Sequence, residues 1–227
     1  MTALLHAYFL HTRPYRETSV LVDLFTAEAG RVGGIWRGGR RAKRSIPQLF
    51  QPLLVDLQGS GELKTLRQVE PAGPALMLAG PALFSGFYLN ELLNRLLPRD
   101  EVQYGLFAGY AQILGELAEG AAVESRLRYF ERQLLDVLGY GIDFTHDAGS
   151  DGMIVEGSHY DFHPERGFVR ASPGGSAFPG AVLLGLATSE TLSPEGLQVL
   201  KLVHRRALAR LLGNKPLKSR ELFLALR

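Results

Sequence analysis

The stretch from Arg31 to Ser45 reads Arg-Val-Gly-Gly-Ile-Trp-Arg-Gly-Gly-Arg-Arg-Ala-Lys-Arg-Ser. It holds six cations, Arg31, Arg37, Arg40, Arg41, Lys43 and Arg44, and no acid. Cations this dense repel one another and stay solvated unless a polyanion neutralises them. Gly38-Gly39 interrupts any periodic element, so the cluster from Arg40 to Arg44 is expected in an exposed loop. The only tryptophan of the chain, Trp36, lies inside this stretch. A phosphate-binding loop beside an aromatic platform is the pairing used to hold single-stranded nucleic acid. A solvated basic turn, with Trp36 as a core residue at a strand end, is the plainer reading.

The charge distribution extends this. The formal net charge is only +2. Residues 1–44 nevertheless carry eight basic and three acidic side chains, a net of +5. Residues 45–200 carry a net of −10, and residues 201–227 a net of +7. Two basic ends around an acidic middle point to a polyanionic partner more than the overall balance does. Other chemistry is missing. There is no Gly-x-x-x-x-Gly-Lys-Ser/Thr loop, no Gly-x-Ser-x-Gly and no His-Glu-x-x-His. With no cysteine, disulfides and thiolate zinc sites are excluded. His146, Asp147, Asp151, His159, Asp161 and His163 invite a metal reading, but their spacing lacks the tight placement of a helical site. No catalytic residues, metal or cofactor are expected. The N-terminus lacks the basic region of a signal peptide and no apolar run is long enough to span a bilayer, so a soluble protein of the cytoplasm is expected.

The elements that must carry these residues fall into two periods. Residues 1–70 alternate as five short strands, Leu4 to Leu10, Thr18 to Leu24, Arg31 to Trp36, Leu49 to Leu57 and Leu63 to Val69. Gly30 is expected to supply a positive φ in the turn before the third. The count suits a small barrel of either OB or SH3-like type. Pro71-Ala-Gly-Pro74 and Gly80-Pro81 mark a boundary, and three amphipathic helices follow, the last with Leu127, Phe130, Leu134 and Leu138 on its buried stripe and Gly139 as its cap. On that helix Glu131 and Asp136 read as solvated charges. Residues 143–176 lose the pattern, although 160–162 and 167–170 suit a small hairpin around Pro164. Ser193-Pro194 starts a further helix that Gly213 ends, with Lys201, Arg205, Arg206 and Arg210 away from its apolar stripe.

Together these segments resemble a known family. Arg13-Pro-Tyr-Arg-Glu-Thr-Ser19, Phe25-Thr-x-Glu-x-Gly-Arg31 and Arg37-Gly-x-Arg40 are similar to the N-terminal domain of RecO, the bacterial recombination mediators. Tyr88-Leu-Asn-Glu-Leu92, Arg128-Tyr-Phe-Glu131, Leu138-Gly-Tyr-Gly141 and Leu217-Lys-Ser-Arg-Glu-Leu-Phe223 match its helical region, in the same order. The resemblance implies an α+β chain. Residues 1–79 would form a five-stranded OB-fold β-barrel and 80–227 an α-helical domain, with 143–176 as a small cysteine-free hairpin insertion. Many relatives carry a four-cysteine zinc lobe there, and from Thr145 to Arg170 this sequence offers no cysteine.

The resemblance further implies binding of single- and double-stranded DNA, annealing of strands coated with single-strand binding protein, and loading of RecA together with RecR. This is the RecF pathway of DNA repair, carried out on the nucleoid and without an enzymatic step. Arg31, Trp36, Arg37, Arg40, Arg41, Lys43 and Arg44 are the candidate DNA contacts, with Lys215, Lys218 and Arg220 as a second patch. The C-terminal tail of single-strand binding protein is acidic and ends in an apolar residue. On the helix from 123 to 138, Leu127, Arg128 and Arg132 are its candidate site, unless both arginines only pair with Glu124 and Glu131. Two other classes compete: an OB-fold used purely as a protein-interaction module, and a metal-dependent nuclease built on the carboxylates of 143–161.

Overall fold

The structure is a computed structural model and describes residues 4–39, 47–188 and 192–224. Five strands, β1 (Leu5–Tyr15), β2 (Ser19–Thr26), β3 (Gly30–Trp36), β4 (Leu53–Gln58) and β5 (Leu63–Pro71), close into a barrel in the order β1-β2-β3-β5-β4. Only β3 and β5 pair in parallel; the other neighbours are antiparallel. That closure is the OB type of barrel, which strand count alone left open. Alternation along each strand builds the interior. Ala7, Phe9, Val20, Val22, Leu24, Leu53, Val55 and Leu66 fill it. Gly30 has φ +67°, and Thr26 Oγ1 braces the turn by donating to Gly30 O and accepting from Ala29 N.

β1 is buried on both sides. A bulge between Phe9 and His11 disturbs the ladder, and Phe9 and Leu10 are both in the core. Tyr8 and Phe25 point outward from the barrel and meet Phe107 and Tyr110 of the helix α2 (Tyr104–Ala118). The preceding helix α1 (Gly80–Leu96) supplies Asn90, whose Nδ2 donates to Leu10 O at 3.2 Å and to Phe9 O at 3.4 Å. Tyr110 Oη donates to Asn90 Oδ1 at 2.5 Å. Both carbonyls thus have a side-chain donor away from water.

α3 (Val123–Val137) opens a second group of elements. Five short strands follow, β6 (His146–Asp147), β7 (Gly152–Met153), β8 (His159–His163), β9 (Gly167–Ala171) and β10 (Phe178–Pro179), then α4 (Gly180–Thr188) and α5 (Pro194–Leu212). The expected hairpin is β8–β9, but it is the centre of a sheet ordered β10-β8-β9-β6-β7 rather than a lone insertion. Its core is aromatic. Phe168 lies 5.1 Å from Phe162, 5.4 Å from Phe144 and 6.5 Å from Phe178, centroid to centroid. Ser193 caps α5 by accepting from Gly196 N at 3.0 Å, and Gly213 ends it at φ +63°.

The chain returns through α6 (Lys218–Leu224). Compactness therefore divides the chain differently from the turn-rich break at 71–81. One unit is Met1–Val123 with Leu217–Arg227, and the other is Glu124–Pro216. The reason lies in α1 and α2, whose apolar faces have the barrel's outer surface to cover. Glu91 of α1 receives α6: its carboxylate accepts from Lys218 N at 3.0 Å, Ser219 N at 2.8 Å and Ser219 Oγ at 2.6 Å. Burial pushes the Glu91 carboxyl upward. The hydrogen bonds from Ser219 and Lys218, with the Arg95 charge, outweigh it and hold the carboxyl below its ordinary value.

A carboxyl depressed in the folded state stabilises above its unfolded pKa and loses that contribution as pH falls through the folded one. α6 is therefore expected to loosen as pH drops through and below the ordinary glutamate range. Hydrogen exchange of the α6 amides across that range checks this, and Glu91→Gln should make them exchange faster already at neutral pH.

Candidate nucleic-acid interface

Strand β3 carries the first residues of the basic stretch. Its inward residues are Val32, Gly34 and Trp36; a Cβ on Gly34 would sit 3.3 Å from Val22 Cγ2 in the interior. Trp36 packs against the barrel core, 6.3 Å from the Phe9 ring. A Cβ on Gly39 would come within 2.9 Å of the Trp36 ring, so backbone lies on that ring as well. Trp36 is half-buried and is shaped as the plug of the barrel end.

The outward residues are Arg31, Gly33 and Ile35, with Arg37 following just beyond the strand. Arg31 and Arg37 differ in their surroundings. The Arg31 guanidinium is drawn inward: Nε donates to Leu97 O at 2.7 Å and Nη1 to Asn94 Oδ1 at 3.4 Å. Burial there lowers its pKa, and Arg99 lowers it further against the pull of Asp23 and Asp100. Arg31 fastens the end of α1 to the barrel and is not offered to a phosphate. Arg37 is exposed, and no ion pair among the described residues holds it. Arg40, Arg41, Lys43 and Arg44 lie outside the described residues.

The loop between α1 and α2 lies across the middle of the same face. Arg99 Nη2 donates to Asp23 Oδ1 at 3.3 Å and Nη1 to Glu62 O at 3.3 Å. Asp100 pairs with Lys64 at 3.0 Å, and Asp100 N donates to Arg31 O at 3.0 Å. Two glycines make room for this loop. A Cβ on Gly33 would lie 2.4 Å from Arg99 Nη1, and one on Gly30 would lie 1.8 Å from Glu101 O.

In the second unit the expected tail site is rearranged. Arg128 is 8% exposed and its Nη2 meets Glu131 Oε1 at 3.0 Å. Glu131 is 1% exposed, not a solvated charge, and its other oxygen meets His204 Nδ1 at 3.1 Å. Arg128 is thus neutralised inside the unit and Leu127 is buried; neither is presented to a partner. Glu124 pairs with Lys201 at 2.8 Å. Arg132 is exposed, its guanidinium 6.0 Å from the Phe144 ring centre.

Helical spacing carries the signal for Glu131. It falls four residues after Leu127 and three before Leu134, on the buried stripe itself, and His204 falls four after Leu200 on α5. Two further cations of α5 are also engaged: Arg206 with Asp161 at 2.7 Å, and Arg210 with Glu165. Lys215, Lys218 and Arg220 are exposed. Of the carboxylates open to a metal reading, Asp161 is committed to Arg206, and Asp147 accepts from Gly149 N and Ser150 Oγ. Among the described residues no three His, Asp or Glu side chains gather as a metal site.

Two family models cover the chain: "Recombination protein O N terminal" over residues 1–75 and "Recombination protein O C terminal" over residues 78–221. The chain belongs to the RecO family. Curated relatives agree. "DNA repair protein RecO" of Actinobacillus succinogenes is 47% identical over 221 residues, 95% of this chain and 93% of that protein. Those of Pseudoalteromonas atlantica and Pseudomonas aeruginosa are 43% and 45% identical, each over 96% of this chain and 93% of theirs. Membership places the cysteine-free sheet within a region that the family's C-terminal model spans.

Removing Glu131 would leave the buried Arg128 guanidinium and the facing nitrogen of His204 without their carboxylate. Glu131→Ala is expected to destabilise the protein by about 3–5 kcal/mol. Urea unfolding of the variant against the parent measures this, and Glu124→Ala, at an exposed pair, should cost less than about 1 kcal/mol.

Proposed function

We propose that this chain is a DNA-binding recombination mediator that anneals complementary single strands and, with RecR, assists RecA loading on strands coated by single-strand binding protein. The observation that carries the reading is the exposed Arg37 just beyond β3, followed in the sequence by Arg40, Arg41, Lys43 and Arg44 with no acid between. Membership of a family whose curated relatives are named DNA repair proteins supports it. Annealing is governed by electrostatics, because two strands repel through their phosphates and a cationic surface neutralises both. No bond is made or broken, so no catalytic group is called for.

In this reading the barrel of residues 1–79 is the main DNA-binding part, and it accepts single- and double-stranded DNA through backbone contacts. Lys215, Lys218 and Arg220 add a second cationic surface. Arg31 fastens the end of α1 to the barrel. The protein works on the nucleoid, in the cytoplasm. Use of the barrel as a protein-interaction module alone would leave DNA affinity weak and insensitive to the basic loop. Changing Arg40, Arg41, Lys43 and Arg44 together to Ala should weaken binding to unrelated sequences alike. For every phosphate no longer neutralised, the slope of log affinity against log salt should flatten by about 0.9. Fluorescence anisotropy over a salt series measures both, and an unchanged slope would remove the loop from the interface.

The acidic tail of single-strand binding protein needs a cation and an apolar surface. Arg132 remains for the first, and Tyr129, three residues before it on α3 and 54% exposed, supplies the second. Arg132→Ala is expected to lower affinity for a labelled tail peptide several-fold and to spare annealing of naked strands. Peptide titration and an annealing assay with and without the coating protein separate these effects.

A further inference from the structure

The outer face of β2 and β3 is the usual place where an OB barrel holds an oligonucleotide, flanked by the β1–β2 and β4–β5 loops. Here that face has three cross-strand layers: Phe25 opposite Arg31, Asp23 opposite Gly33, and Leu21 opposite Ile35. The first is closed, because Phe25 is fully buried against Phe107 and Tyr110 and Arg31 is tied to Leu97. The second is closed by Arg99, which pairs with Asp23 and leaves no room for a Cβ at Gly33. Arg99 also reaches Glu62 in the β4–β5 loop, so that flank is occupied as well. Only the third layer is open. It runs into an open pocket of about 790 Å³ lined by Tyr15, Arg16, Glu17, Ile35 and Arg37 among others.

The contents of this pocket suit a nucleotide. The Arg16 guanidinium lies 5.2 Å from the centre of the Tyr15 ring, a flat cationic and aromatic pair at the hairpin tip. Arg16 is held there at φ +52°, which an arginine adopts only when the tip fixes it. Glu17 and Arg37 both line the pocket, so a phosphate is repelled by the first and drawn to the second, which precedes the basic run in the sequence. Trp36, the more obvious stacking residue, packs half-buried against the barrel core beside Phe9.

Resting on the DNA-binding reading above, we infer that single-stranded DNA crosses this barrel only at its β1–β2 end, with an unstacked base on the Tyr15–Arg16 pair and the adjoining phosphate on Arg37. A duplex keeps its bases stacked and uses the basic loop without this subsite.

The test compares a thymidine oligonucleotide with a duplex of matched length, by anisotropy at fixed salt. Tyr15→Ala should weaken single-strand binding roughly tenfold, within the range that removal of one stacking ring produces, and leave duplex affinity and the salt slope as they were. Tyr15→Phe should restore binding. A second measurement needs no variant: photocrosslinking of the unaltered protein to an oligonucleotide carrying 5-iododeoxyuridine should label the peptide containing Tyr15 and spare Trp36. If the loop variant loses DNA while Tyr15→Ala binds single strands normally and the crosslink falls elsewhere, the subsite is wrong and the DNA-binding reading stands. If neither the loop variant nor Tyr15→Ala affects binding, both fail. An equal loss on single strand and duplex for Tyr15→Ala would also overturn the inference, since it would mark damage to the barrel end.

Discussion

Asn90 ties α1 to the barrel at the bulge in β1. The bulge disturbs the register between Phe9 and His11, and Asn90 Nδ2 donates to the carbonyls of Phe9 and Leu10 there. A buried carbonyl left unsatisfied costs on the order of 1–3 kcal/mol. Asn90 satisfies both and is itself fixed by Tyr110. Once α1 is docked this way, much else follows. Its C-terminal end delivers Leu97, Arg99 and Asp100 onto β3, and the next residue along, Glu91, is placed to cap α6.

That arrangement separates cations by whether an acid or a carbonyl already answers them. Arg31 and Arg99 are answered within the first unit, and Arg128, Lys201, Arg206 and Arg210 within the second. Their charges serve the fold. The acidic middle of the chain is thereby matched in part by its own arginines.

The period of the sequence predicts the strands, the three helices, the Gly30 turn and the caps at Ser193 and Gly213, because each depends on local spacing or a single backbone requirement. The resemblance adds the barrel's closure and the order of the domains. What stays hidden is long-range. Nothing near Arg31 indicates that it meets a carbonyl 66 residues away. Glu131 reads as a surface charge when its type is allowed to outweigh its position, although spacing sets it among Leu127, Phe130 and Leu134. The sheet of the second unit is hard to foresee because three of its strands are two residues long, and such pairs have no period to read. Its aromatic residues, Phe144, Tyr160, Phe162, Phe168 and Phe178, are the better signal.

Those aromatics have a consequence for the conditions in which the protein works. Where a lobe is held by thiolates around zinc, an oxidant that attacks sulfur expels the metal and unfolds the lobe. The chain has no cysteine, and tilted and edge-on rings around Phe168 occupy the centre of its sheet. Peroxide has no thiol to convert there. Agents that break DNA are often oxidants, so a repair protein meets them at the moment it is needed. A core of phenylalanine rings offers such agents no thiolate, and the sulfur of this sheet is the exposed thioether of Met153 at its edge.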